Sequence, residues 1–171
     1  QSHQFHPTIL REYDIRGIID QTLSTADAKA IGLAFGSKVK ELGGARVCVG
    51  YDGRHSSIDM EAALVGGLIA TGIQVDRVGR GPTPMLYFAT VESGADGGIM
   101  VTGSHNPPTH NGFKMMLDGK SFYGQAIQDL GHRAESGIFV TGYGEKRLVP
   151  TFDGYIDRIV RDFKGEKPLT A

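Results

Sequence analysis

Apolar positions recur along the chain in two rhythms. Between residues 25 and 42 they fall at Ala30, Ile31, Leu33, Ala34, Val39 and Leu42, close to the repeat of a helix buried along one side. Ser24 or Thr25 is the candidate N-cap, and Gly43-Gly44 is the stop. The run Arg46-Val47-Cys48-Val49-Gly50-Tyr51 is short and β-branched, as a buried strand is, and Asp52-Gly53-Arg54 turns the chain. The alternation then repeats. A helix over 58–71, capped by Ser56 or Ser57 and closed by Gly72, leads to a strand from Ile73 to Val78. A loop from Gly79 to Pro84 feeds a helix over 84–93, and residues 94–98 break it. Ile99-Met100-Val101 forms a third strand that runs directly into Thr102-Gly103-Ser104. An Asn-Gly turn at Asn111-Gly112 opens a fourth strand over 112–117, and a helix near 124–135 follows. Residues 137–150 fit neither rhythm. Residues 151–163 are again helical, with Ile156, Ile159, Val160 and Phe163 on one side.

Helices that alternate with short apolar strands build an α/β layered domain around a mixed, mainly parallel sheet. Ligands of such sheets bind beyond the carboxyl ends of the strands. The loops Asp52–Ser57, Gly79–Pro84 and Thr102–Asn111 each follow a strand, so all three are expected on one side of the sheet. The chain carries no internal repeat.

Composition narrows the function classes. Of the 171 residues, 40% are hydrophobic, enough for a packed core. The net charge of −1 argues against nucleic acid or an anionic membrane as partner, since both need concentrated basic surface. No apolar run approaches the roughly 20 residues of a membrane span. The opening Gln1-Ser2-His3-Gln4-Phe5-His6 lacks the basic-then-apolar layout of a signal peptide. A single cysteine, Cys48, forms no internal disulfide, so a reducing cytoplasm is the expected compartment.

The densest chemistry lies in Thr102–Lys114, which gathers a hydroxyl, imidazoles, amides and an ammonium just after a strand end. Pro107-Pro108 stiffens this loop and lowers the entropy lost in holding Ser104 still. His105 and Lys114 offer donors to phosphate oxygens. In the fourth strand Phe113, Met115 and Leu117 share one face, which sends Lys114 to the other. The same residue types also build solvated turns, in which His105 is a structural hydrogen-bonding group, His110 is exposed and Lys114 is a surface charge. A serine hydrolase is disfavoured because Gly103-Ser104-His105-Asn106 lacks the second glycine of a nucleophile elbow. No phosphate-binding Gly-Lys-Ser/Thr loop and no zinc-spaced His or Cys pair occurs.

Thr102-Gly103-Ser104-His105-Asn106-Pro107, continued by Asn111-Gly112-Phe113-Lys114, resembles the phosphoserine loop of the α-D-phosphohexomutases, the phosphomannomutase/phosphoglucomutase family. Arg11-Glu12-Tyr13-Asp14-Ile15-Arg16-Gly17 is similar to that family's opening signature. Gly50-Tyr51-Asp52-Gly53-Arg54 with Ser56-Ser57, and Pro82-Thr83-Pro84, match further segments of its first domain. The resemblance covers most of residues 10–120 in order. It implies a three-layer α/β/α domain, with the four core strands in the order 2-1-3-4 and the last antiparallel.

The resemblance also implies that Ser104 carries a phosphoryl group and donates it to a hexose monophosphate. A bisphosphate such as glucose 1,6-bisphosphate is then the intermediate and activator, and 1-phospho and 6-phospho sugars interconvert. Ser104, Lys114, Arg16 and His105 match the family's catalytic residues, with Lys114 the candidate general acid/base. Tyr13, Arg16, His105 and Lys114 match its substrate-binding set, although packing is the commoner role for a residue such as Tyr13. Arg54 is expected to hold loops together by ion pairing. Mg²⁺ is implied, held mainly by a loop of a second domain and by the phosphoserine oxygen of Ser104. That acidic loop, the sugar-reading loop and the C-terminal phosphate-binding domain do not occur in these 171 residues. Residues 1–150 are therefore expected to be domain 1, and 151–171 a linker and the start of a truncated domain 2. The remaining domains are the expected partners, the piece alone is expected to be inactive, and an uncovered apolar face leaves it open to self-association. Two alternatives stand beside this reading. One is a phosphoglucosamine mutase domain, against which Gly103 leans; the other is a non-catalytic module that binds phosphorylated ligands or a protein.

Overall fold

The computed structural model describes residues 1–165. Strands and helices alternate through most of it: β1 (Ile15–Ile18), α1 (Thr25–Glu41), β2 (Arg46–Tyr51), α2 (His55–Ala70), β3 (Gln74–Arg80), α3 (Thr83–Glu92), β4 (Gly97–Val101), β5 (His110–Leu117), β6 (Lys120–Ser121), α4 (Gln125–Ser136), β7 (Lys146–Leu148) and α5 (Phe152–Gly165). The strands form one sheet in the order β1-β5-β4-β2-β3-β7, with β6 beside β5. β2 is parallel to β3 and β4, and β7 is parallel to β3, whereas β5 runs antiparallel to β4 and β1 antiparallel to β5. The four core strands thus take the order expected from the family resemblance, with the last reversed.

Two apolar clusters on opposite faces of the sheet make the layers. The larger joins Val47, Val49, Ile99, Val101, Phe113 and Met115 to side chains of α1, α2 and α4. The smaller sets Cys48, Val78 and Met100 against Met85, Leu86 and Ala89 of α3. The strands alternate faces residue by residue, so β2, β3 and β4 each supply both clusters. α1 and α2 meet backbone to backbone: a Cβ on Gly67 would overlap the carbonyl oxygen of Lys29, and Gly32 sits opposite it.

Several boundaries move for local reasons. α2 starts at His55, three residues early, with Arg54 at the N-cap. Neither Ser56 nor Ser57 caps it, because Ser57 Oγ donates to Asp52 Oδ1 instead (2.5 Å). α1 does begin after Ser24, whose amide donates to Asp27 Oδ2 (2.7 Å). The unassigned stretch 137–150 contains β7, which Val75–Lys146 pairing and the ion pair of Arg147 with buried Asp76 (2.7 Å) hold to β3. β1 escaped the sequence reading because four residues at a sheet edge are too short to display a period. α5 matches the expected helix, and Ile156, Ile159, Val160 and Phe163 are all exposed on it. The expected second-domain segment runs on through 166–171, which lie outside the described residues.

Candidate active site

The carboxyl ends of β2 and β4 turn together, because the Asp52 amide donates to Val101 O (2.9 Å). The Asp52 carboxylate then ties the two loops. Its Oδ1 accepts from Ser57 Oγ and from Arg54 N (3.1 Å). Its Oδ2 accepts from Thr102 Oγ1 (3.0 Å), Gly103 N (3.0 Å) and Arg54 Nε (3.2 Å). Burial by itself would push this carboxyl's pKa up, but the donors from Ser57, Arg54, Gly103 and Thr102 outweigh it and hold it below the ordinary aspartate value. The loop after β3 joins the same edge, where the Arg80 guanidinium lies against Gly53 and Gly81 N donates to Tyr51 O (3.0 Å). All three loops therefore share one side, as strand direction requires.

Ser104 is half-buried and has a left-handed backbone, φ 52°. Its amide donates to Thr102 Oγ1 (2.9 Å), and the turn closes through Asn106 N to Gly103 O (3.0 Å). Beneath the loop, fully buried Asn111 donates from Nδ2 to Ser56 Oγ (2.8 Å) and Ser57 Oγ (3.0 Å), while its Oδ1 accepts from Gly112 N (2.9 Å). The hydroxyl of Ser104 faces Arg16. β1 pairs Arg16 with Gly112, and from there Arg16 Nη2 donates to Ser104 Oγ (3.3 Å) and to Asp14 Oδ2 (2.7 Å). The Arg16 side chain is only 12% exposed, and its Nε is buried with no protein acceptor among the described residues. A buried donor left open beside a hydroxyl suits an incoming anionic oxygen.

Lys114 lies two residues along β5 from Gly112, on the face that Arg16 shares. It is half-buried and lines an open hollow of about 450 Å³ with Tyr13, Asp14, Tyr87 and Tyr123. Tyr13 is 75% exposed and stacks on Tyr123 with centroids 6.1 Å apart, so core packing is not its role here. Burial pushes the Tyr87 phenol pKa up. His105 is exposed and, among the described residues, bonds to no side chain. His110, expected to be exposed, is half-buried at the start of β5, with its ring against Thr109 Oγ1 (3.0 Å). The structure thus gathers Ser104, Arg16, Lys114 and Tyr13 around one edge and leaves His105 on the outer surface of the loop.

Arg54 departs most from expectation. Its ion pair with Asp52 is one contact among five. Nη1 donates to Pro107 O (2.6 Å) and His110 O (3.1 Å), and Nη2 to Ser104 O (3.1 Å) and Asn106 O (2.6 Å). Asp52, not singled out by sequence reasoning as a site organiser, could have been found as an Asp-Gly turn closing a buried strand.

Fold and site together define a three-layer α/β/α domain that holds a serine hydroxyl against a guanidinium at the carboxyl edge of its parallel strands. The family model described as phosphoglucomutase/phosphomannomutase, alpha/beta/alpha domain I, matches residues 7–140, and the chain belongs to that family. It is 43% identical over 163 residues to a phosphoglucomutase of Neisseria gonorrhoeae and 40% identical over 162 residues to a phosphomannomutase/phosphoglucomutase of Pseudomonas aeruginosa. These alignments cover 94% and 95% of this chain but 35% of either relative's length. A solved phosphoglucomutase/phosphomannomutase family protein from Burkholderia thailandensis superposes with a TM-score of 0.88 at 45% identity, over 93% of this chain and 36% of that one.

Proposed function

We propose that this chain supplies the phosphoserine domain of a hexose-phosphate mutase acting on mannose and glucose phosphates. One observation carries the reading: Ser104 Oγ meets a nearly buried Arg16 whose Nε lacks an acceptor among the described residues. In the resting enzyme Ser104 Oγ bears a phosphoryl group. The sugar's free hydroxyl attacks phosphorus and gives its proton to Lys114, while the Ser104 O–P bond breaks and leaves Ser104 Oγ as an oxyanion held by the Arg16 guanidinium. The bisphosphate turns end for end. Ser104 Oγ then attacks the other phosphate while Lys114 returns its proton to the departing sugar oxygen, so phosphate and proton balance over the cycle. Arg16 offsets the charge on the moving phosphoryl group, His105 meets the substrate from the loop surface, and Tyr13 with Tyr123 offers the sugar ring an aromatic wall.

Mg²⁺ belongs to this reading, but the residues here do not form a site for it alone. Among the described residues no three His, Cys, Asp or Glu side chains cluster. Ser104 would contribute one phosphoryl oxygen to the ion, which would offset charge on the transferring group. Residues 151–171 would lead into the rest of the enzyme, and residues 1–171 alone would turn over negligibly, since positioning a phosphosugar takes contacts from several sides. Among the described residues no helix is long and apolar enough to cross a membrane. A reducing cytoplasm is the proposed compartment, on the strength of one buried free thiol.

The test is intact mass together with turnover in the full-length enzyme. Ser104 should take up phosphate from glucose 1,6-bisphosphate, and Ser104→Ala should lose both the adduct and nearly all interconversion of mannose 1-phosphate while unfolding at the same temperature. A Ser104→Ala enzyme that keeps the phosphate and the activity removes the proposal. Faster turnover of glucosamine 6-phosphate than of mannose 1-phosphate would move the substrate to the amino sugar.

A further inference from the structure

We infer that Arg54 is a positioning residue for Ser104: its guanidinium grips the 103–110 loop by the backbone, fixes the left-handed turn that aims the hydroxyl at Arg16, and has no donor left for a phosphoryl group. A guanidinium has five N–H donors and no acceptor. The structure gives each one a partner: Nε meets Asp52 Oδ2, Nη1 meets the carbonyls of Pro107 and His110, and Nη2 meets those of Ser104 and Asn106. An arginine beside a reacting phosphate usually faces the anion. This one faces carbonyl oxygens, and its side chain is only 17% exposed.

The neighbouring glycine supports the same role. A Cβ on Gly103 would overlap the Arg54 guanidinium carbon, and Gly103 is not among the residues of positive φ. The need for glycine at 103 is therefore space for the clamp, while the left-handed strain falls on Ser104 itself. Non-glycine residues hold such a conformation only where surrounding bonds over-determine it. The Ser104 carbonyl bound by Arg54 and the Ser104 amide bound by Thr102 are those bonds. Lysine, with three donors on a point charge, cannot satisfy four carbonyls and a carboxylate at once.

The kinetic arm of the test rests on the mutase reading; the exchange arm does not. In the full-length enzyme, Arg54→Lys should lower kcat about 10²-fold by misplacing the nucleophile while the KM for hexose phosphate stays within about threefold. Amide exchange over Ser104–His110 should accelerate in Arg54→Lys, with the β2 and β4 amides unchanged. Added guanidinium should restore part of kcat to Arg54→Ala. Gly103→Ala should reproduce the loss on the native background and add little to Arg54→Ala, because both act on one contact. Native kcat in Arg54→Lys, a rise in KM at constant kcat, unaltered loop exchange, or full additivity of the two substitutions would each overturn the inference. If Arg54→Ala fails to fold, Arg54→Lys and Gly103→Ala still decide. If the full-length enzyme ignores hexose phosphates, the proposed function fails and loop exchange alone judges the clamp.

Discussion

Replacing Asp52 with asparagine tests how the two loops are held. The carboxylate accepts two donors on Oδ1 and three on Oδ2. Whichever oxygen becomes an amide nitrogen, at least two donors then face another donor. Two charge-assisted bonds lost at about 1.5–3 kcal/mol each give a ceiling of about 3–6 kcal/mol. The side chain is 20% exposed, so water takes up part of that load, leaving about 2–4 kcal/mol. In a domain of this size each kcal/mol moves Tm by about 2–4 °C, so thermal unfolding of the chain at neutral pH should shift down by about 5–15 °C. The pH dependence follows from sign. The folded carboxyl titrates below its unfolded value of about 3.9, so its ionic contribution is complete above that value and is lost as pH falls through the folded pKa. The gap between native protein and Asp52→Asn should stay constant from pH 6 to 8 and narrow below about pH 4. A Tm within about 1 °C of native at neutral pH, or a gap that widens in acid, would refute the reasoning.

Lys114→Ala in the full-length enzyme should slow turnover by about 10²–10⁴-fold yet leave Ser104 able to accept phosphate, which intact mass and steady-state assay read together. Gly67→Ala should destabilise by about 1–3 kcal/mol in a urea titration, because its methyl enters the Lys29 carbonyl at the α1–α2 crossing.

The core strands and helices were legible because each buries enough residues to show a period: Val47 and Val49 face one layer, while Cys48 faces the other. The serine loop was legible as a motif. β1 and β7 were not, since a three- or four-residue strand exists only through its partner, and the partners of β1 lie across the chain at 110–113. Arg54 was legible as a residue that holds loops by ion pairing, but not its grip on four carbonyls, because a guanidinium that binds main-chain carbonyls leaves no mark in the residue types it binds.

The sequence by itself determined the alternation of elements, the α/β class, the edge at which the loops gather and the loop that presents Ser104, because these depend on local periodicity, turn chemistry and strand direction. Only the tertiary structure decided that Arg16 reaches Ser104, that Asp52 ties two loops, that Arg54 holds the backbone and that His105 lies outside. Those outcomes depend on register between strands distant in sequence and on which donor finds which acceptor once the layers close.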